Sequence, residues 1–232
     1  EVFAVEGRPG EVAKIYDAAG AARREAKIEA IVAARLWETT PFVAFPRAVL
    51  RADRGAFAGF VMAKVEGAEP LHEVYAPGAR KRRFPEADYR FLVRVAANVA
   101  RAVAATHAAG CVIGDVNHSS FLIARDGLVT LIDADSFQFR DGDTLHTCHV
   151  GVPEYTAPEL HGASLAGVER TANHDAFALA VVIFQLLFMG RHPFAGVSSA
   201  GDVTVPEAIA GHRFAWSRRR ETGLSPPAGL GS

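Results

Sequence analysis

Two stretches decide the fold: Ile113-Gly114-Asp115-Val116-Asn117-His118-Ser119-Ser120-Phe121-Leu122-Ile123 and, shortly after it, Leu131-Ile132-Asp133-Ala134-Asp135-Ser136-Phe137. Each sets an acidic residue at or just past the end of an apolar, strand-like run. The segments Phe121 to Ile123 and Val129 to Ile132 read as two short strands joined by the turn residues Arg125-Asp126-Gly127. A hairpin of that kind lets Asp115 and Asp133 converge on one cleft. A carboxylate at a strand end faces solvent and ligand while the strand holds it in place. Taken singly, an aspartate after an apolar run is more often a turn or cap residue.

Outward from this pair, the first third of the chain alternates β-type runs with one helix. Val2-Phe3-Ala4-Val5 and Val12-Ala13-Lys14-Ile15-Tyr16 flank the turn Gly7-Arg8-Pro9-Gly10, which is hairpin chemistry. Lys14 thus lies inside an apolar strand, where a charge is disfavoured without a partner. Ala22, Ile28, Ile31, Val32 and Leu36 recur at helical spacing between charged residues, predicting an amphipathic helix over 21–36. That helix supplies the partner for Lys14 at Glu25, or at Glu29 one turn later on the same face. Pro46 to Arg51 and Gly59 to Val65 give two more strands around Asp53-Arg54-Gly55. After Glu66-Gly67-Ala68-Glu69-Pro70 the texture changes. Tyr89 to Ala109 is a long helical pattern stopping at Gly110, and another helix begins near Asp175. A β-rich part followed by a helix-rich part predicts an α+β fold of two lobes, with Lys64 to Gly67 as the connecting strand. From Arg218 through Ser225-Pro226-Pro227 the chain reads as an irregular tail.

Composition narrows the class. The 232 residues, 50% of them hydrophobic, suffice for a large buried core. The 25 Lys+Arg against 26 Asp+Glu leave a formal charge of −1, which gives no footprint for nucleic acid. The two cysteines, Cys111 and Cys148, argue against a disulfide framework and point to a reducing, cytoplasmic setting. The longest apolar run, Ala176 to Met189, is short of the roughly 20 residues needed to cross a bilayer and reads as a buried helix.

At these residues the sequence resembles the protein kinase family, over nearly the whole chain. Val12-Ala13-Lys14 is similar to the lysine strand. His107-Ala108-Ala109-Gly110 with Gly114-Asp115 resembles the entry to the catalytic loop, and Asp133-Ala134-Asp135 stands in the place of the metal-binding Asp-Phe-Gly. Gly151-Val152-Pro153-Glu154-Tyr155-Thr156-Ala157-Pro158-Glu159 resembles the end of the activation segment. His174-Asp175 with Gly190-Arg191-His192-Pro193-Phe194 resembles the helix that anchors the catalytic loop. The resemblance implies a bilobal kinase-like fold. Residues 1–64 would form the N-terminal lobe, without its glycine-rich loop, and residues 65–232 the hinge and C-terminal lobe, without its last helices. It implies phosphoryl transfer from ATP with Mg²⁺ to Ser or Thr of a protein substrate, autophosphorylation included.

By the same resemblance Lys14 contacts the phosphates and Glu25 orients it. Asp115 is the base for the acceptor hydroxyl, Asp133 and Ser120 hold metal, and Met62, Ala63, Lys64, Val65 and Asn117 line the nucleotide. Asp175 bonds the backbone of the catalytic loop. The sequence departs from the family at Ile113-Gly114, where His-Arg is usual, so control by phosphorylation of the activation segment is not expected. Asn117 replaces a lysine, Ser120 an asparagine, and Val152 a threonine. Gly114-Asp115-Val116-Asn117 with Asp133-Ala134-Asp135-Ser136-Phe137-Gln138 resembles a bacterial branch linked to tellurium resistance. Members of that branch associate with a metal-dependent phosphatase and a von Willebrand A-type protein, and some carry a helix-hairpin-helix module.

Two other functions fit the same residues: a pseudokinase that binds nucleotide or protein without transfer, and a small-molecule kinase. Ala157-Pro158-Glu159 speaks against the latter. His146, Cys148 and His149 are too few and too isolated for a zinc site. Arg80-Lys81-Arg82-Arg83 reads as a solvated loop ahead of a helix, and His107 as a structural histidine near a helix end.

Overall fold

The structure, a computed structural model, describes residues 1–198, 201–218 and 222–227. Four strands come from the first part of the chain: β1 (Val2–Val5), β2 (Arg8–Ile15), β3 (Pro46–Arg51) and β4 (Phe57–Ala63). They pair antiparallel in the order β1-β2-β4-β3, with Lys14 opposite Phe60. Gly59 is required where β4 meets β2, because a Cβ there would lie 2.0 Å from the Lys14 carbonyl oxygen. One helix, α1 (Ala18–Ala33), packs on this sheet. Its first turn is capped by Asp17, whose Oδ1 accepts from the Gly20 N–H at 2.6 Å. Ile28 and Ile31 are its fully buried side chains.

The chain then leaves the sheet. β5 (Ala68–Pro70) pairs with β7 (Phe121–Ala124), which pairs in turn with β8 (Val129–Leu131). Between them lie α2 (Leu71–Tyr75), α3 (Pro77–Arg83), α4 (Tyr89–Ala108) and β6 (Cys111–Val112). The basic run at 80–83 is therefore helical, correcting its reading as a loop: Pro77 opens α3 at a position where no N–H is needed. Asp88 caps α4, and Gly110, at φ 77°, ends that helix's turn. After β8 come β9 (Gln138–Asp141) and β10 (Thr144–His146), then α5 (Ala172–Leu187), β11 (Val197–Ser198), α6 (Val205–Ala210) and β12 (Leu224–Ser225). β12 pairs with β11, so part of the expected irregular tail is strand. Residues 219–221 of that tail, and 228–232 beyond it, lie outside the described residues.

The architecture is the expected α+β arrangement, a small sheet with one helix joined to a larger, mainly helical part. One hydrophobic cluster runs through both, from Ile28 and Phe60 to Val99, Leu131 and Leu186. Phe45 and Phe137 meet edge to face across the junction, with ring centroids 6.0 Å apart. Backbone also crosses it: Leu131 donates to the Phe42 carbonyl at 2.7 Å and accepts from Ala44 at 2.9 Å. Among the described residues no helix is long and apolar enough to cross a membrane.

Candidate active site

Two distant parts of the chain meet at the ammonium of Lys14. Its Nζ donates to Asp133 Oδ1 at 2.9 Å and to Asp135 Oδ1 at 2.8 Å, across 119 and 121 residues of sequence. Strand pleat puts Tyr16 on the same side as Lys14. Tyr16 donates its hydroxyl to Asp135 Oδ2 at 2.6 Å, and Arg24 Nε of α1 stands 3.8 Å from the same oxygen. Burial acts to lower the Lys14 pKa, but Asp135 and then Asp133 outweigh it, and the group is held above the ordinary lysine value. Burial and the adjacent Asp135 push the Tyr16 hydroxyl up.

Asp133 and Asp135 come from one tight turn. Asp133 adopts φ 58° and ψ 33°, a left-handed backbone that costs a non-glycine residue about 1 kcal/mol. Its carbonyl is fixed by Ser136, whose N–H and Oγ both donate to it at 2.9 Å. The result is a division of labour between two carboxylates two residues apart: the Asp133 side chain is 61% exposed and that of Asp135 only 4%.

Asp115 lies on the loop between β6 and β7, and the loop is braced from beneath. Asp175 of α5, almost wholly buried, accepts from the Ile113 and Gly114 N–H groups and pairs with His107 Nε2, each at 2.8 Å. That is the structural role expected of both residues. Gly114 has φ 74°, and a Cβ there would meet Cys148 Cβ at 2.6 Å. Asp115 Oδ1 accepts from Asn117 Nδ2 at 3.0 Å and from the Val152 N–H at 3.2 Å. Its Oδ2 has no hydrogen-bond partner among the described residues. The loop joins the Asp133 strand through Ile132, whose N–H donates to the Ser120 carbonyl at 3.0 Å.

One expected role is corrected by these contacts, and two further residues make their bonds within the loop. Glu25 does not orient Lys14. Arg51 of β3 holds it at 3.0 Å and binds Glu29 as well, because the rotation of α1 that buries Ile28 and Ile31 turns both glutamates toward β3. Ser120 is bonded within the loop: its hydroxyl donates to the Asp115 carbonyl at 2.9 Å and accepts from the Asn117 N–H at 3.2 Å. Asn117, buried, spends its amide on Asp115 and its Oδ1 on the Ser119 N–H at 2.8 Å, so it braces the loop. Met62 is partly buried against the core where β4 ends. Beyond Ala63, the Lys64 N–H is taken by the Gly10 carbonyl at 2.9 Å, and the Lys64 side chain pairs with Glu66 at 2.6 Å. Val65 follows, half-buried, in the connection to β5.

The residues missed by sequence reasoning are Asp135, Tyr16, Lys27 and Arg170. Lys27 of α1 donates to the carbonyls of Ser136 at 2.8 Å and Thr147 at 3.1 Å, and burial pulls its pKa down to about 8. Arg170, a buried arginine, donates to the Gly114 and Val150 carbonyls at 2.8 and 3.2 Å, tying the Asp115 loop to the segment ahead of Ala157-Pro158-Glu159. No three metal-ligating side chains cluster at His146, Cys148 and His149 or elsewhere among the described residues.

The family described as "Protein kinase domain" matches residues 44–218. The chain belongs to the protein kinase family. The kinase is 45% identical over 222 residues to "Protein kinase YegI" of Escherichia coli O157:H7, which covers 93% of this chain and 34% of that protein. It is 43% identical over 232 residues to the protein of the same name from Escherichia coli K12, covering 97% of this chain and 36% of that one. A "Serine/threonine-protein kinase PkaB" of Streptomyces coelicolor is 35% identical over 128 residues, half of this chain and 28% of its own length. The chain thus spans about a third of the length of the Escherichia coli relatives. Those two alignments extend over almost all of it, whereas the family match begins after Lys14.

Proposed function

We propose that this kinase transfers the γ-phosphoryl group of ATP to Ser or Thr hydroxyls of proteins, itself included, with Mg²⁺ as the metal. The observation that carries the reading is the contact of Lys14 Nζ with Asp133 Oδ1, which brings a cation and an exposed carboxylate together at the junction of sheet and helices. An exposed carboxylate is a hard oxygen donor that suits Mg²⁺. Bound there, the metal would neutralise charge on the phosphates as it does generally in phosphoryl transfer. Lys14 binds and orients the same phosphates. Asp115, with Oδ1 fixed by two donors, presents Oδ2 to the acceptor hydroxyl and takes its proton. Residues 1–64 form the nucleotide lobe in this reading, 65–232 the hinge and acceptor lobe, and Met62 to Val65 receive the adenine.

Transfer of label from γ-labelled ATP to the protein itself or to a generic acceptor tests the proposal. Lys14→Met, Asp133→Asn and Asp115→Ala should each lower the rate on the order of 100-fold or more while unfolding stays cooperative. Label that persists in Asp115→Ala would sink the enzymatic reading. Bound ATP without transfer in the unsubstituted protein would favour the pseudokinase. The two cysteines support a cytoplasmic setting, and the branch resemblance supports association with a metal-dependent phosphatase and a von Willebrand A-type protein. Failure of both to bind purified full-length protein would remove that part.

A further inference from the structure

Lys14 needs a carboxylate to aim it, and the glutamates of α1 are elsewhere. Glu25 and Glu29 share Arg51 of β3, on a flank of the helix where all three side chains are partly exposed. The face of α1 that looks toward the site carries cations instead. Arg24 approaches Asp135, and Lys27 reaches the carbonyls of Ser136 and Thr147. A glutamate in place of Lys27 would confront those two carbonyl oxygens with a third acceptor and no proton between them.

We propose that Asp135 is the positioning residue for Lys14, taking over from the metal-binding turn the task assigned to a helix glutamate. The assignment rests on the phosphoryl-transfer reading for its catalytic meaning. Its geometry stands independently. Both oxygens of Asp135 are engaged, Oδ1 by Lys14 Nζ and Oδ2 by the Tyr16 hydroxyl with Arg24 behind it. Asp133 also touches Lys14, but its side chain is largely exposed while that of Asp135 is buried. Of the two carboxylates, Asp133 can turn to a ligand in the cleft and Asp135 cannot. Lys14 keeps one fixed partner whatever Asp133 binds.

This places the lysine's partner two residues from the metal-binding aspartate, on a single turn. Swinging α1 away from the sheet would not separate Lys14 from Asp135. It would instead break the Lys27 bonds to Ser136 and Thr147 and the Arg24 approach. In this kinase the helix braces the turn, and the turn aims the lysine.

Acylation of Lys14 by a small anhydride, followed by mass spectrometry across a pH series, reads the environment of its ammonium without requiring transfer activity. In Asp135→Asn the midpoint of Lys14 acylation should move to lower pH, because burial then acts with less opposing charge. The same variant should lose kcat/KM for ATP-dependent transfer on the order of 100-fold, as a misplaced phosphate contact does. The double variant Glu25→Gln/Glu29→Gln, altered only at the Arg51 ion pairs, should keep both the midpoint and transfer within about twofold of the starting protein. An unmoved midpoint in folded Asp135→Asn overturns the assignment. So does a shifted midpoint or a large loss of transfer in Glu25→Gln/Glu29→Gln, which decides the matter even if the asparagine variant fails to fold. Midpoints that behave as expected in a protein that transfers no phosphate would uphold the positioning and discard the enzymatic reading.

Discussion

Replacing Asp175 with alanine strikes the support of the Asp115 loop rather than the site itself. The carboxylate is 1% exposed and satisfies two backbone donors, the Ile113 and Gly114 N–H groups, besides pairing with His107. Alanine leaves both amides buried without an acceptor, at about 1 to 3 kcal/mol each. Release of the buried carboxylate from its desolvation offsets part of that. A net loss of about 3 kcal/mol results. With a urea dependence of about 2 kcal/mol per molar, the unfolding midpoint should fall by about 1.5 M. Asp175→Asn keeps one acceptor but turns an amide donor toward the second N–H, so it should recover less than half of the loss. Hydrogen exchange gives the local readout: the amides of Ile113 and Gly114 should lose protection out of proportion to those of α4 and α5. Transfer activity should fall with them, since Gly114 directly precedes Asp115. An unchanged urea midpoint together with protected amides at Ile113 and Gly114 would refute the reasoning, because the carboxylate would then be dispensable to the loop it underlies.

Other outcomes follow from the same contacts. Gly114→Ala combines a left-handed φ with a Cβ 2.6 Å from Cys148 Cβ, and thermal unfolding should show a loss of about 2 to 4 kcal/mol; an unaltered Tm would mean the loop yields easily. Gly59→Ala drives a Cβ into the Lys14 carbonyl, a backbone atom with no rotamer to escape by, and should cost more than Gly114→Ala in the same assay. Gly78→Ala in α3 meets only the end of Arg82 at 3.9 Å and should be neutral or stabilise by up to about 1 kcal/mol. Lys27 has its pKa lowered to about 8 by burial from 10.5, so the unfolded chain binds more protons between those values. The stability of the protein relative to Lys27→Met should therefore be greatest above pH 10.5 and decline as pH falls to 8, by up to about 3 kcal/mol. A difference between the two proteins that stays flat with pH would contradict the burial of that ammonium.

Much of the fold was legible because the decisive patterns are local. The run Tyr89 to Ala109 ends at a glycine that the structure holds at φ 77°, and the alternation around Lys14 gives a strand with a hairpin before it, although the turn falls at Glu6-Gly7 and Arg8 to Gly10, expected in the turn, belong to β2. The segments that carry Asp115 and Asp133 could be joined in advance because only a short hairpin separates them, and in the structure the Ile132 N–H bonds the Ser120 carbonyl between them. Local pattern failed where an element draws its bonds from far along the chain. Residues 224–225 look like a tail until Val197–Ser198 supplies a partner strand. Ser120 and Asn117 occupy the positions of a metal ligand and a charged side chain in the resembled family. Nothing in their types reveals that both are spent on the carbonyl and carboxylate of Asp115.

The partner of Lys14 is the instructive failure, since the information to avoid it was present. Glu25 and Glu29 are one turn apart and share a face, which is all that spacing can say of them. Which face turns inward is set by the strongest competing interaction. Burying Ile28 and Ile31 completely is worth about 1.5 to 3 kcal/mol each, whereas an exposed ion pair contributes about 1 kcal/mol or less. The isoleucines therefore fix the rotation of α1, and the glutamates accept whatever the flank offers, here Arg51. Positions 24, 27, 28 and 31 fall at i, i+3, i+4 and i+7, a single helical stripe. Reading that stripe as the inward face would have put Arg24 and Lys27 beside the site and required the carboxylate for Lys14 to come from another element. The second acid of Asp133-Ala134-Asp135, next to the buried Ala134 and two residues before the buried Phe137, is the group that meets that requirement.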